Sequence, residues 1–109
     1  MRTIHFNVDK QTISLDPAYD VSGLVPGTKG YLLANFSFSS EWDGCVKVAA
    51  FFSNLGKEYE PRVLTNGTSC VIPPEALAKS VFKVQVIGQK GDYNICTNKT
   101  IVHQKGGKV

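Results

Sequence analysis

The sequence predicts an all-β protein: an antiparallel β-sandwich, immunoglobulin-like, of about seven or eight short strands with one short helical turn near residues 73–79. Three observations lead there. Apolar and polar residues alternate with period two over much of the chain, as in Ile4, Phe6 and Val8 against Thr3, His5 and Asn7. Turn-forming residues punctuate these runs at short intervals, at Asp9-Lys10, Asp43-Gly44, Asn66-Gly67 and Gly91-Asp92. Finally, 109 residues with 42% hydrophobic and 19% charged residues supply one core without disulfides or metal, and leave no room for a multidomain enzyme or a dinucleotide-binding fold.

The elements follow in order. Residues 3–8 make a first strand, Asp9-Lys10 a turn, and Thr12-Ile13-Ser14-Leu15 the returning strand of a hairpin. Residues 16–30 hold Pro17, Gly23, Pro26, Gly27 and Gly30 and are expected to form a long loop, with a short strand at 19–22. Leu32, Ala34, Phe36 and Phe38 then point one way and Asn35, Ser37 and Ser39 the other, as a half-buried strand requires. Residues 46–53 are apolar on both faces, which suits a central strand covered on both sides, or one whose outer face meets a partner. Pro61 makes 58–64 an edge or bulged strand, because proline offers no ladder donor. Asn66-Gly67 is a hairpin turn, and Ser69-Cys70-Val71-Ile72 a short strand. Residues 73–79 are the one helix candidate, with proline early, Glu75 in the first turn and Lys79 in the last, placed to cap one end of the sandwich. Phe82, Val84 and Val86 mark the next strand, residues 88–92 turn the chain, and 93–102 supply the last strand or strand pair. One domain is therefore expected over 1–104, with a flexible basic tail at 105–109.

Composition argues against several function classes. The net charge of +3, with Lys99, Lys105 and Lys108 near the C-terminus, is too mild for a nucleic-acid interface and reads as a solvated tail. No apolar run approaches the ~20 residues of a membrane span. The first eight residues lack the apolar region of a secretory signal, so synthesis in a cytoplasm is expected, and the Asn-x-Ser/Thr triplets at Asn35, Asn66 and Asn98 read as strand and turn residues. Cys45, Cys70 and Cys96 are odd in number and contain no Cys-x-x-Cys, which argues against a disulfide framework or a zinc site. They are expected to be buried, reduced thiols, with the meeting of any two left open.

Catalytic motifs are equally absent from the sequence. His5 and His103 read as two exposed strand residues, too few ligands for a stable metal site. There is no Gly-x-Ser-x-Gly, no phosphate-cradling glycine loop and no His-Glu-x-x-His. Glu41 and Asp43 share one turn, whereas glycosidase carboxylates flank a cleft. No catalytic, cofactor or metal residue is assigned, and no enzyme is expected.

Trp42 is the sole tryptophan. A carbohydrate platform or an interface anchor would use such a ring, but beside a strong strand and the Asp43-Gly44 turn it reads better as a structural plug. The next strand supplies the candidate partner-binding residues Val46, Val48, Phe51 and Phe52, joined by Tyr31 from the long loop. Phe51 and Phe52 are adjacent, so one must point away from the core, toward a partner or under the chain's own loop at 21–31. The partner reading is preferred, since exposed apolar patches on small domains often mark contacts.

The pattern Phe36-x-Phe38-Ser39-x-Glu41-Trp42-Asp43-Gly44, then Lys47-x-Ala49-x-Phe51, resembles a small β-sandwich module of tailed phages and prophages of Gram-positive bacteria. The resemblance runs on through Cys70-Val71-Ile72-Pro73-x-Glu75-x-Leu77, Val84-x-Val86-x-Gly88-x-x-Gly91 and Ile95-x-Thr97-Asn98, and begins at Ile4-x-Phe6-x-Val8-x-Lys10-Gln11-Thr12. Two features depart from the family: the loop at 16–30 is long and glycine-rich, and Pro73-Pro74 stands where the family often has Pro-Trp. The resemblance implies a non-enzymatic virion structural protein that binds other virion proteins, such as the major capsid protein or tail and baseplate proteins, and itself. A chain this short fits a capsid decoration or head-fibre protein better than a tail or baseplate subunit. The rival class is a carbohydrate-binding or adhesin module on the particle surface, for which Tyr19, Tyr31, Tyr59 and Tyr93 are the available aromatics. No nucleic acid, membrane or cofactor is implied.

Overall fold

The structure is a computed structural model and describes residues 1–104; the expected tail at 105–109 lies outside the described residues. It contains nine strands: β1 (Arg2–Asp9), β2 (Thr12–Leu15), β3 (Leu32–Phe38), β4 (Val46–Ser53), β5 (Arg62–Val63), β6 (Ser69–Val71), β7 (Val81–Lys90), β8 (Tyr93–Cys96) and β9 (Thr100–His103). A 3₁₀ turn occupies Ser40–Trp42, and a single helical turn, α1, occupies Pro74–Leu77. The first sheet runs β2-β1-β3-β6; the second runs β5-β4-β7-β8, with β9 also on β7. The all-β sandwich expected from the alternation is what the chain forms.

The arrangement adds detail to the expected set of seven or eight antiparallel strands and departs from it in part. The last strand pair occupies one side of β7 in series: β8 faces Ile87 to Lys90 and β9 faces Val81 to Val84. Thr97 fills the gap between them, accepting a hydrogen bond from the Val86 N–H at Oγ1 (3.1 Å) while its own N–H donates to the Val86 carbonyl (3.1 Å). β1 and β3, in contrast, are parallel, in register from Arg2–Leu32 to Val8–Phe38. The hairpin partner β2 returns the chain to the start of β1, and the loop at 16–31 then crosses that end, so β3 must set off in the direction of β1. No strand forms at 19–22; that stretch is built of turns. At β5, Ala49 faces Arg62 while Phe52 faces Glu58, so three steps along β4 match four along its partner. The extra residue is a bulge that accommodates Pro61.

The inner faces meet in one core of Ile4, Phe6, Val8, Ile13, Phe36, Phe51, Phe82, Val84 and Val86 among others. Each end is closed by a side chain from outside the sheets. At the end where β1 and β3 begin, Leu24 of the long loop and Leu77 of α1 are buried, tied by the Gly27 N–H donating to the Leu77 carbonyl at 2.7 Å. Gln104 caps this corner, donating from Nε2 to the carbonyls of Leu77 (3.0 Å) and Lys79 (2.7 Å).

Trp42 closes the opposite end and is fully buried. Its indole N–H donates to the Lys10 carbonyl at 2.8 Å, and its ring lies against Phe38 with centroids 5.2 Å apart. Lys10 is held at φ 56, the left-handed region disfavoured for L-residues, and its N–H donates to Ser39 Oγ at 2.9 Å. The six-membered ring of the indole packs against Gly88 of β7: a Cβ there would stand 2.8 Å from two ring carbons. Asp43 and Gly44 (φ 77) then turn the chain into β4. The plug expected from the sequence is therefore in place.

Trp42→Ala is expected to cost about 3–5 kcal/mol, as truncation of a fully buried aromatic does. Gly88→Ala, a steric intrusion into the same contact, is expected to cost about 1–3 kcal/mol. The two are coupled through one surface, so the second cost should fall by at least ~1 kcal/mol in the Trp42→Ala background. Urea unfolding of the four proteins measures this cycle; strict additivity would show that the indole does not sit on Gly88.

Candidate interaction surface

Successive strand residues face opposite sides, so the residues of β4 that leave the core free are Val46, Val48, Ala50 and Phe52. Their partners on β7 are Gln89, Ile87, Gln85 and Lys83 in turn. Register therefore sets an aliphatic row across the outside of the second sheet: Val63 on β5, Val48 on β4 and Ile87 on β7, ending at Cys96 on β8. Val46 extends it by one step along β4. Val63 is 66% exposed, Val46 63% and Ile87 36%, and Val48 between them is half-buried.

The same face is sheltered toward the other end of β4. Phe52 is only 7% exposed, with Lys99 Nζ 4.0 Å above its ring, a cation–π contact, and Glu58 and Lys83 as its strand neighbours. Ala50 is buried next to Gln85, whose amide donates to the Thr97 carbonyl at 2.7 Å. Polar and cationic side chains thus cover Ala50 and Phe52, while Val46, Val48, Val63 and Ile87 stay open.

The five candidate partner-binding residues are separated by this arrangement. Val46, Val48 and Phe52 share the outer face. Phe51 points inward at 0% exposure, in contact with Phe82, and belongs to the core; its place in the candidate set is corrected. Phe52 is the outward member of the pair, and Lys99 covers it instead of the loop at 21–31, whose Leu24 is committed to the core. Tyr31 lies at the far end of the molecule, where with Arg2, Leu24, Val25 and Thr28 it lines a hollow of about 230 Å³. Sequence reasoning missed Val63 and Ile87. Val63 follows the Pro61 bulge, which shifts its facing. Ile87 had a signal: it follows the core series Phe82, Val84, Val86 out of phase, and an apolar residue out of phase lies on the outer face.

Among the described residues no group of three or more His, Cys, Asp or Glu is placed to hold a metal. His5 stacks on Tyr19 in the first sheet, while His103 is exposed on β9 in the second. The cysteines are all free, but the expectation that all three are buried fails at Cys96, which is exposed at the end of the aliphatic row because β8 has one face in solvent. Cys45 and Cys70 are buried, and burial pushes the Cys70 thiol up to about 12, with Arg62 a smaller opposing influence. No helix among the described residues is long and apolar enough to cross a membrane. No protein-family model, curated protein or solved structure matches the chain.

Two outcomes follow for the thiols. A neutral, membrane-permeant disulfide reagent should label Cys96 alone in the native protein, with Cys45 and Cys70 reacting only on unfolding, as read by mass spectrometry. The unfolded chain releases the Cys70 proton near 9.0 and the native protein only near 12, so this contribution to stability is complete below about pH 9 and is lost as pH rises toward 12. Cys70→Ala should flatten the alkaline fall of the unfolding free energy relative to the parent; an unchanged slope would contradict the buried, protonated thiol.

Proposed function

We propose that this chain is a non-enzymatic structural protein of a tailed-phage virion, docking onto other virion proteins through the outer face of its second sheet. The observation that supports this reading best is the open row Val63–Val48–Ile87 with Val46 beside it. Solvated strand faces usually carry charge, and a contiguous aliphatic strip set across three strands is the chemistry of a face that another protein covers. The motif order around Trp42, Cys70 and Thr97, which resembles the phage module, supports the same reading.

The strip is small, and that suits the setting. Each side chain contributes only about 1–2 kcal/mol when buried, so one copy binds weakly. On a symmetric particle, many equivalent sites make weak contacts sufficient. A capsid decoration or head-fibre protein is the form of this function we favour, over a tail or baseplate subunit.

Val48→Ser and Ile87→Ser should leave the isolated domain folded and each weaken binding to particles lacking this protein by about tenfold, equivalent to ~1.4 kcal/mol. Occupancy is read by quantitative gel or mass spectrometry after mixing folded variants with such particles. Parent-like occupancy for both variants would remove this face from the interface.

A further inference from the structure

The outer face of the first sheet has a different chemistry. Its outward strand positions are Thr3, His5, Asn7 and Asp9 on β1, Thr12 and Ser14 on β2, Leu33, Asn35 and Ser37 on β3, and Ser69 and Val71 on β6. Apart from Asp9, beside Thr12 at the hairpin end of the sheet, none of them carries a carboxylate, ammonium or guanidinium group, in a chain with 21 charged residues (12 basic and 9 acidic). Side-chain amides and hydroxyls fill the centre. His5 neighbours Asn35, and Asn7 lies between Ser14 and Ser37. These groups both donate and accept hydrogen bonds, and the sheet spaces them about 4.8 Å apart across strands and about 7 Å along them.

An aromatic ring stands over this lattice. Tyr19 stacks on His5 with centroids 3.7 Å apart and planes 18° from parallel, and remains 50% exposed. One face of the phenol ring is covered by the imidazole, and half of the residue's surface remains in solvent. The ring is held in place from both sides. Tyr19 N–H donates to the Asp16 carbonyl (3.2 Å), and Asp16 Oδ1 accepts from Ala18 N–H (3.0 Å). Asp20 takes both the N–H and the hydroxyl of Ser22 (2.8 and 2.9 Å), and Arg2 donates to the carbonyls of Asp20 and Ser22 (3.2 and 2.7 Å). Asp16, Asp20 and Arg2 are thus engaged in fixing the loop.

We propose that this face binds a neutral polysaccharide, with a sugar ring lying on Tyr19 and its hydroxyls meeting Asn7, Asn35 and Ser37. The occupant follows from the chemistry. An apolar partner would leave the half-buried amides without hydrogen bonds, and a charged one finds no counter-charge among the central residues His5, Asn7, Asn35 and Ser37, the one carboxylate, Asp9, lying at the hairpin end. A polyol matches donors and acceptors together, and the C–H face of a pyranose matches an open aromatic face. A preorganised ring also limits the entropy lost on binding. This proposal is independent of the docking strip, which lies on the other sheet.

The test is a titration of the ¹⁵N-labelled protein with maltohexaose, cellohexaose and chitohexaose, each to ~10 mM, a range that detects millimolar binding. The side-chain amide signals of Asn7 and Asn35 should shift with at least one of the three. Tyr19→Ala should weaken that response at least tenfold, and Asn35→Ala should do so without touching the loop. Val48→Ser should leave it unchanged, and Tyr19→Ala should keep parent-like occupancy on particles, so the two surfaces fail separately. Absence of shifts at Asn7 and Asn35 with all three sugars would overturn the proposal, as would shifts that persist in both variants or that map to another face.

Discussion

The contact on which the sandwich most depends is the indole of Trp42 packed directly against Gly88. It joins elements that alternation alone cannot join. The ring comes from the connection between the sheets, its floor from β7 of the second sheet, and its hydrogen-bond acceptor, the Lys10 carbonyl, from the hairpin turn of the first. Only glycine leaves space for the ring, and only a residue turned to positive φ at Lys10 brings that carbonyl and the Ser39 hydroxyl into line. Satisfying the indole N–H also removes the penalty of burying it. At the opposite end Leu24 and Leu77 perform the same closure with purely apolar groups.

Closing both ends frees the outer faces to differ. A two-layer sandwich of this size has four sheet faces, and the two inner ones hold the core. On the outside, Asn98 ties the sheets along one side, its Oδ1 accepting from Ile13 N–H (2.9 Å) and its N–H donating to the Gln11 carbonyl (3.1 Å). That clasp occupies the edge of β2 and limits open pairing there. What remains available is an aliphatic strip on one face and, on the other, a lattice of amides and hydroxyls with its one charge, Asp9, at the hairpin end. In the proposed virion setting, the strip faces the particle and the lattice faces outward, an arrangement that requires no catalytic group.

Much of this fold is legible in the sequence, because period two reports facing directly. The runs at Ile4–Val8, Leu32–Phe38 and Phe82–Val86 place the correct residues inward, and Trp42 beside Asp43-Gly44 reads as a plug. Three features escape for physical reasons. Parallel pairing of β1 with β3 is decided by the path of a 16-residue connection, residues 16–31, whose turns carry no sheet register. The division into β8 and β9 depends on one threonine bonding to Val86 through both its backbone and its hydroxyl. Phe52 is apolar and outward, yet a lysine 47 positions later covers it (Lys99), and such a contact has no local signal. The docking strip is half legible: Val46 and Val48 lie in a run apolar on both faces, whereas Val63 is hidden by the register shift at Pro61.

The most direct test of the proposed function is hydroxyl-radical footprinting of the protein free and assembled on particles. Val46, Val63 and Ile87 are expected to lose most of their labelling on assembly, while Tyr19 on the opposite sheet keeps its own. Equal labelling of the three aliphatic residues in both states, or protection centred on Tyr19, would contradict docking through the second sheet.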